Sequence, residues 1–231
     1  MTLYDVKRWA VRNVPGVVGV QTFLYRFKPY SWKFRTYYIH KSWGPEMESA
    51  SGHGSSMAAT QVIRRQLPIL WQRFGITSIL DIPCGDFHWM KEVPRDGIHY
   101  IGGDIVPEMV TENQRRYSSP NVEFRQLDML KSTLPKVDLI FCRDCFIHYP
   151  DKFVFSAIDR FVASGSRYLL ASTYPNIPRN NDLDTPGLAR KINLSIAPFD
   201  FPQPIHTIDE QSEGKVMALW KLADLSRLPR R

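Results

Sequence analysis

Between residues 77 and 173, short apolar runs alternate with stretches of helical period. Ser78-Ile-Leu-Asp-Ile82 is a brief, nearly unbroken apolar run, as expected of a strand covered on both faces. His99–Asp104, Val137–Cys142 and Tyr168–Thr173 read the same way, and Val122–Asp128 alternates as a half-covered strand does. Helical stretches separate most of them: Asp86–Lys91, Pro107–Tyr117 and Lys152–Ala163. Strand and helix in turn predict an α/β domain, doubly wound on a parallel sheet. Upstream, helical spacing predicts a helix from Met57 to about Phe74, capped by Ser55 or Ser56 and kinked or restarted at Pro68. Lys215–Lys221 predicts a last strand. Residues 174–204 have many Pro and Asn and little period; they are expected to form a long loop, of the kind that usually serves function.

The 231 residues are enough for one α/β domain with an appendage, and the core needs no disulfide or metal. Cys84, Cys142 and Cys145 are too few for a disulfide framework, so a reducing cytoplasm is expected. No run of ~18 uncharged apolar residues exists to span a membrane. Val14–Leu24, broken by Pro15 and Gly16, is no signal-peptide core.

Charge divides the chain. Residues 1–45 hold eight basic residues against Asp5 alone, a net +7 equal to the excess of the whole chain. They also carry eleven aromatic residues, among them Trp9, Phe23, Tyr30, Trp32, Phe34, Tyr37 and Tyr38. A basic, aromatic helical extension (1–45) preceding a domain (46–231) is the expected organisation, with two short helices split at Asn13–Gly16. Its rings either pack on the domain as a cap or present a patch to an anionic lipid surface or a glycan. The latter would make the protein peripheral to the inner face of the membrane. No nucleic-acid partner is expected, because the body is neutral and no binding motif is present.

In open parallel sheets ligands sit at the carboxyl ends of the strands, near the point where strand order reverses. Those ends here carry Asp81 to Asp86, Asp104, Asp128 and Arg143-Asp144. Gly85 lets backbone approach a ligand, and a helix N-terminus behind it would offer free N–H groups. Asp104 is placed to accept from both hydroxyls of a ribose, with Ile105 against the base. Asp128 is placed to accept from an exocyclic amine, with Met129 pressing on the ring. One such turn alone is ordinary βα geometry; three carboxylates at successive strand ends are far more specific. No Gly-x-Gly-x-x-Gly is present for a pyrophosphate, which counts against a dinucleotide.

These residues resemble the class I S-adenosylmethionine-dependent methyltransferases. The likeness lies in the acid-and-glycine loop Asp81–Gly85, the ribose acid Asp104, the adenine acid Asp128 and the fourth-strand segment Asp138–His148, and covers residues 50–222. It implies a Rossmann-like, mostly parallel seven-stranded sheet with helices on both faces, a late strand pair at its edge, and S-adenosyl-L-methionine as cofactor. Asp81, Pro83, Cys84, Gly85, Asp104, Ile105, Asp128, Met129, Arg143 and Ser55 are the implied cofactor contacts. The family loop has three alternating glycines; here Pro83 and Phe87 replace the outer two. Ser51–Ser56 is the segment expected to supply the missing contacts. Asp-Ile-Pro-Cys-Gly-Asp-Phe-His-Trp-Met and Phe-Cys-Arg-Asp-Cys-Phe-Ile-His further resemble a subgroup associated with surface-polysaccharide and other glycan genes.

Chemistry is expected at Cys142-Arg-Asp-Cys-Phe-Ile-His-Tyr149. His148 is the expected base for a hydroxyl near neutral pH, with Asp144, one helical turn earlier, as base or as its orienting partner. Both are otherwise ordinary structural groups: a satisfied histidine and a helix cap. Cys142 and Cys145 form a lone C-x-x-C pair, short of the four ligands zinc needs, so no metal is expected. His53, Tyr174, Arg190 and Asn193 are the candidates for the acceptor. O-methylation of a saccharide or glycolipid hydroxyl is the expected activity. The alternatives are a small-molecule methyltransferase and a non-catalytic nucleoside binder.

Overall fold

A computed structural model describes residues 28–40, 42 and 48–226. The proposed helices around Asn13–Gly16 and most of the basic extension lie outside the described residues. Helix α1 is Tyr30–Ile39. Helix α2, Gln61–Phe74, buries Ile63, Leu67, Leu70 and Trp71 along one stripe and ends at Gly75 in the left-handed region. It begins four residues later than its periodicity suggests. Ser56 Oγ instead accepts from the Ala59 N–H and caps a preceding turn. Pro68 sits inside α2 without ending it.

The strands are β1 Ser78–Asp81, β2 His99–Asp104, β3 Val122–Gln126, β4 Leu139–Cys142, β5 Tyr168–Thr173, β6 His206–Ser212 and β7 Lys215–Lys221. They form one seven-stranded sheet ordered β3-β2-β1-β4-β5-β7-β6. All pairings are parallel except those of β7, which runs antiparallel to both β5 and β6. Helices α3 (Pro107–Tyr117) and α4 (Asp151–Ala163) are the crossovers, and a one-turn α5 (Leu222–Leu225) follows β7. Successive strand residues face opposite ways, so the sheet carries two cores. Leu80, Ile140, Leu169 and Ala218 pack with Val154, Ala157 and Phe161 of α4. Ile79, Phe141, Leu170 and Leu219 pack with Ile63, Leu67 and Leu70 of α2. The chain reverses between β1 and β4, and that switch point opens the site.

The helix expected at Asp86–Lys91 is not formed. Gly85 and Phe87 both adopt positive φ (58° and 57°), which a right-handed helix cannot contain, and only a 3-10 turn, Met90–Glu92, follows. The anion-binding helix N-terminus behind Gly85 is thus absent.

Candidate active site

A cleft of about 1010 Å³, open to solvent, lies across the ends of β1, β2 and β4. Asp81, Pro83, Cys84, Gly85, Asp104, Ile105, Met129, Arg143 and Ser55 line it, as do Asp144 and His148.

Asp81 and Asp104 end adjacent strands and are buried. Burial raises Asp81 to about 7, against the Tyr100 hydroxyl that donates to it at 2.5 Å. Burial likewise raises Asp104 to about 6, although the Val106 and Gly85 N–H groups donate to it at 3.0 and 3.1 Å. A desolvated carboxylate with spare lone pairs is stabilised by further donors, which the diol and ammonium of S-adenosylmethionine would supply. The donor and acceptor chemistry therefore fits that cofactor. Ser51 and Ser55 sit on a loop folded over the glycine turn. Ser51 Oγ accepts from the Asp86 N–H at 3.0 Å, and a Cβ at Gly85 would fall within that hydroxyl. Gly54 carries the same loop over β4, its carbonyl accepting from Arg143 at 2.8 Å.

The expectation that Asp104 accepts from the ribose carries a pH dependence. Its folded value of about 6 means that protonation competes with the cofactor below that pH. Calorimetric Kd for S-adenosylhomocysteine is expected to weaken as pH falls from 7 to 5. Asp104→Asn should bind more weakly and lose part of that pH response. An unchanged pH slope in the variant would remove Asp104 from this role.

Beyond Asp104, β4 ends in a buried charge cluster. Arg143 meets Glu210 of β6 through two bonds, 2.8 and 2.7 Å, and its guanidinium lies 5.5 Å over the Trp89 ring. Lys215 of β7 bridges Asp144 at 2.8 Å and Glu210 at 2.9 Å. Asp144 also lies 3.1 Å from Arg143. Burial would raise its acid, but the two cations more than offset that and hold it below the ordinary carboxylate range. The sequence expectation put Asp144 and His148 on one helical face. The structure does not: Asp144 has φ 52°, and only the 3-10 turn Phe146–His148 follows.

His148 Nδ1 lies 3.0 Å from the Leu188 carbonyl. A carbonyl only accepts, so Nδ1 carries the hydrogen and Nε2 its lone pair. Burial lowers the imidazole's pKa below 6.5, against the Leu188 bond and the Asp144 charge. The ring is neutral at pH 7.

Several expected residues stand elsewhere. Asp128 does not line the cleft. One of its oxygens accepts from the Leu130 N–H at 2.9 Å and the other from the Tyr30 hydroxyl of α1. His53 is exposed and outside the cleft. Tyr174 packs under Lys191, 5.6 Å from its ring. Arg190 pairs with Asp151 at 2.5 Å and donates to the Tyr149 carbonyl at 3.0 Å, bracing the long loop against α4. Asn193 is buried within that loop, donating to Pro175 and Ile177 carbonyls at 3.0 Å. Phe199 and Phe201 are core. The loop's polar groups thus hold its own shape; what it lends the site is the Leu188 carbonyl. Sequence reading missed Phe34, Tyr38, Trp89 and Tyr149 as lining residues. The only signal was the i, i+4, i+8 spacing of Tyr30, Phe34 and Tyr38. The cysteines are unpaired and buried, and among the described residues no cluster suits a metal ion.

Residues 79–165 match the family model described as a methyltransferase domain. The fold is similar to that of a 1,6-didemethyltoxoflavin-N1-methyltransferase from Burkholderia thailandensis, at TM-score 0.56 and 14% identity over 83% of this chain and 86% of that one. It is similar to magnesium protoporphyrin IX methyltransferase of Synechocystis PCC 6803, at TM-score 0.55 and 14% identity over 84% and 96%. Human N-acetylserotonin methyltransferase is also similar, at TM-score 0.51 and 13% identity over 83% of this chain but only 66% of that one. No curated protein sequence matches the chain.

Proposed function

We propose that the chain, whose residues 79–165 match a methyltransferase domain and whose fold is similar to that of solved S-adenosylmethionine-dependent methyltransferases, methylates a hydroxyl, with His148 as general base. The carrying observation is the bond from His148 Nδ1 to the Leu188 carbonyl, which leaves Nε2 able to take a proton beside the cleft. S-adenosylmethionine, when bound, supplies an electrophilic methyl on its sulfonium. Asp104 and the Gly85 turn would hold the nucleoside, and Asp81 the donors nearer the methionine end. Nε2 removes the hydroxyl proton as the acceptor oxygen attacks. Asp144 holds negative charge near the imidazolium and is a poor proton acceptor, being already neutralised by Arg143 and Lys215.

A saccharide or glycolipid hydroxyl is the proposed acceptor, supported by the sequence resemblance. A small aromatic acceptor is the second reading, favoured by the rings of Phe34, Tyr38, Trp89 and Tyr149 along the cleft. Radiolabelled methyl transfer to a panel of sugars, lipid-linked sugars and phenols separates them. Turnover of phenols alone would sink the saccharide reading, and label only on nitrogen acceptors would sink both.

We further propose that residues 1–45 hold the enzyme on an anionic membrane surface through Lys7, Arg8, Arg12 and Arg26 of residues 1–27, since Lys33 is buried and Arg35 is paired with Glu108. No described helix is long and apolar enough to cross a membrane. Vesicle binding should weaken between low salt and 0.5 M salt and be lost on deleting residues 1–27, while neutral vesicles should not bind. Binding unaffected by that deletion would rule the idea out.

A further inference from the structure

Helix α1 presents two stripes to the domain. Tyr30, Phe34 and Tyr38 face the cleft side, where Tyr30 reaches Asp128, and Phe34 stacks edge-on to Tyr149 at 5.6 Å. Lys33 and Tyr37, also one turn apart, face the long loop instead. Lys33 is fully buried and donates to the hydroxyl of buried Thr185. Tyr37 lies so close to Gly187 that a Cβ there would come 2.8 Å from its ring. Gly187 has φ 95°, open to glycine and costly for other residues. The clamped segment is tied to the proposed base. The Gly187 N–H donates to the His148 carbonyl at 2.9 Å, the Arg190 N–H to the Ile147 carbonyl at 3.0 Å, and Leu188 supplies the carbonyl that receives His148 Nδ1–H.

We propose that α1 is a positioning element for proton transfer: by clamping residues 185–187 through Lys33 and Tyr37, it fixes the Leu188 carbonyl that keeps His148 in the tautomer with a bare Nε2. This rests on the reading of His148 as the base. Leu188 is an exposed loop residue; backbone bonds from Gly187 and Arg190 tie its segment to the turn of His148, and the Lys33–Thr185 and Tyr37–Gly187 contacts hold it from the side of α1.

The test uses the full chain with S-adenosylhomocysteine bound. Long-range 1H–15N spectra report which imidazole nitrogen of His148 bears the hydrogen. In the parent protein Nδ1 should carry it. In Lys33→Met and in Thr185→Val both tautomers should appear. Each kcat should fall by on the order of 10- to 100-fold, the scale of a misplaced catalytic group, with KM for S-adenosylmethionine changed far less. Thr185→Ser, which keeps the hydroxyl, should restore the single tautomer and the rate. If both variants keep hydrogen on Nδ1 alone, the inference fails, even where kcat falls. The tautomer readout stands apart from catalysis. Full activity of His148→Ala would sink the base assignment, while a tautomer shift in the clamp variants would still show the mechanical link.

Discussion

Replacing His148 by alanine is expected to lower kcat by about 10²–10⁴-fold, the usual worth of a positioned general base, while S-adenosylhomocysteine binds nearly as before. The separation follows from position. The cofactor's proposed contacts are at the ends of β1 and β2, whereas His148 follows β4 and touches the cleft from its other side. The pH profile should carry the same signature. Burial disfavours the imidazolium, so the folded pKa lies below 6.5. Activity should therefore rise as pH climbs through that lowered value and be on a plateau at neutral pH. With S-adenosylmethionine saturating, so that Asp104 protonation does not limit the rate, the acid limb of kcat should vanish in His148→Ala. Equal kcat in the variant and the parent at pH 7 would end the assignment and would favour a hydroxyl deprotonated by water. Lost turnover with retained cofactor binding would also set aside a non-catalytic nucleoside binder.

Arg143→Met is expected to cost about 3–5 kcal/mol of folding stability, the range for breaking one partner of a buried ion pair. Two carboxylates, Asp144 and Glu210, share two cations, Arg143 and Lys215. Removing Arg143 leaves both acids to a single ammonium, and the Glu210 side chain is wholly buried. The Gly54 carbonyl also loses its donor, so the loop bearing Ser51 and Ser55 loosens. For a domain of this size each kcal/mol lowers Tm by roughly 2–4 °C. The double variant Arg143→Met/Glu210→Leu should recover much of the loss, because apolar replacement of a buried pair is often nearly neutral. Denaturant unfolding tests both. A single variant within about 1 kcal/mol of the parent would show that Lys215 alone neutralises the cluster, or that water reaches Glu210.

The parallel half of the fold was legible in the chain because it is built from local pattern. β2, β5 and α3, and β7 at the antiparallel edge as well, have the bounds their periodicity predicts, since each places its apolar residues without help from a distant partner. β6 was not placed individually. Glu210 occupies one of its inward positions and breaks the apolar alternation; that acid is buried because Arg143, 67 residues earlier, and Lys215 pair with it. The helix expected after β1 failed for a related reason. Helical spacing was present, but the turn around Gly85 and Phe87 is shaped by contacts with Asp104 and the Ser51 loop.

The site divides along the same line. Carboxylates and glycine at strand ends are consequences of chain order in a doubly wound sheet, so Asp81, Gly85 and Asp104 could be singled out from sequence, and with them the nucleoside chemistry. What only the tertiary structure decided is which groups near the cleft are free to act. Asp144 and Arg190 are occupied by ion pairs and Asn193 by backbone carbonyls. Asp128 is held by a tyrosine 98 residues away, and the tautomer of His148 is set by a carbonyl 40 residues downstream. Periodicity records which way a side chain faces, because that depends on neighbours in the chain. Hydrogen-bond partnership depends on residues that folding alone brings within about 3 Å, and no spacing along the chain encodes it.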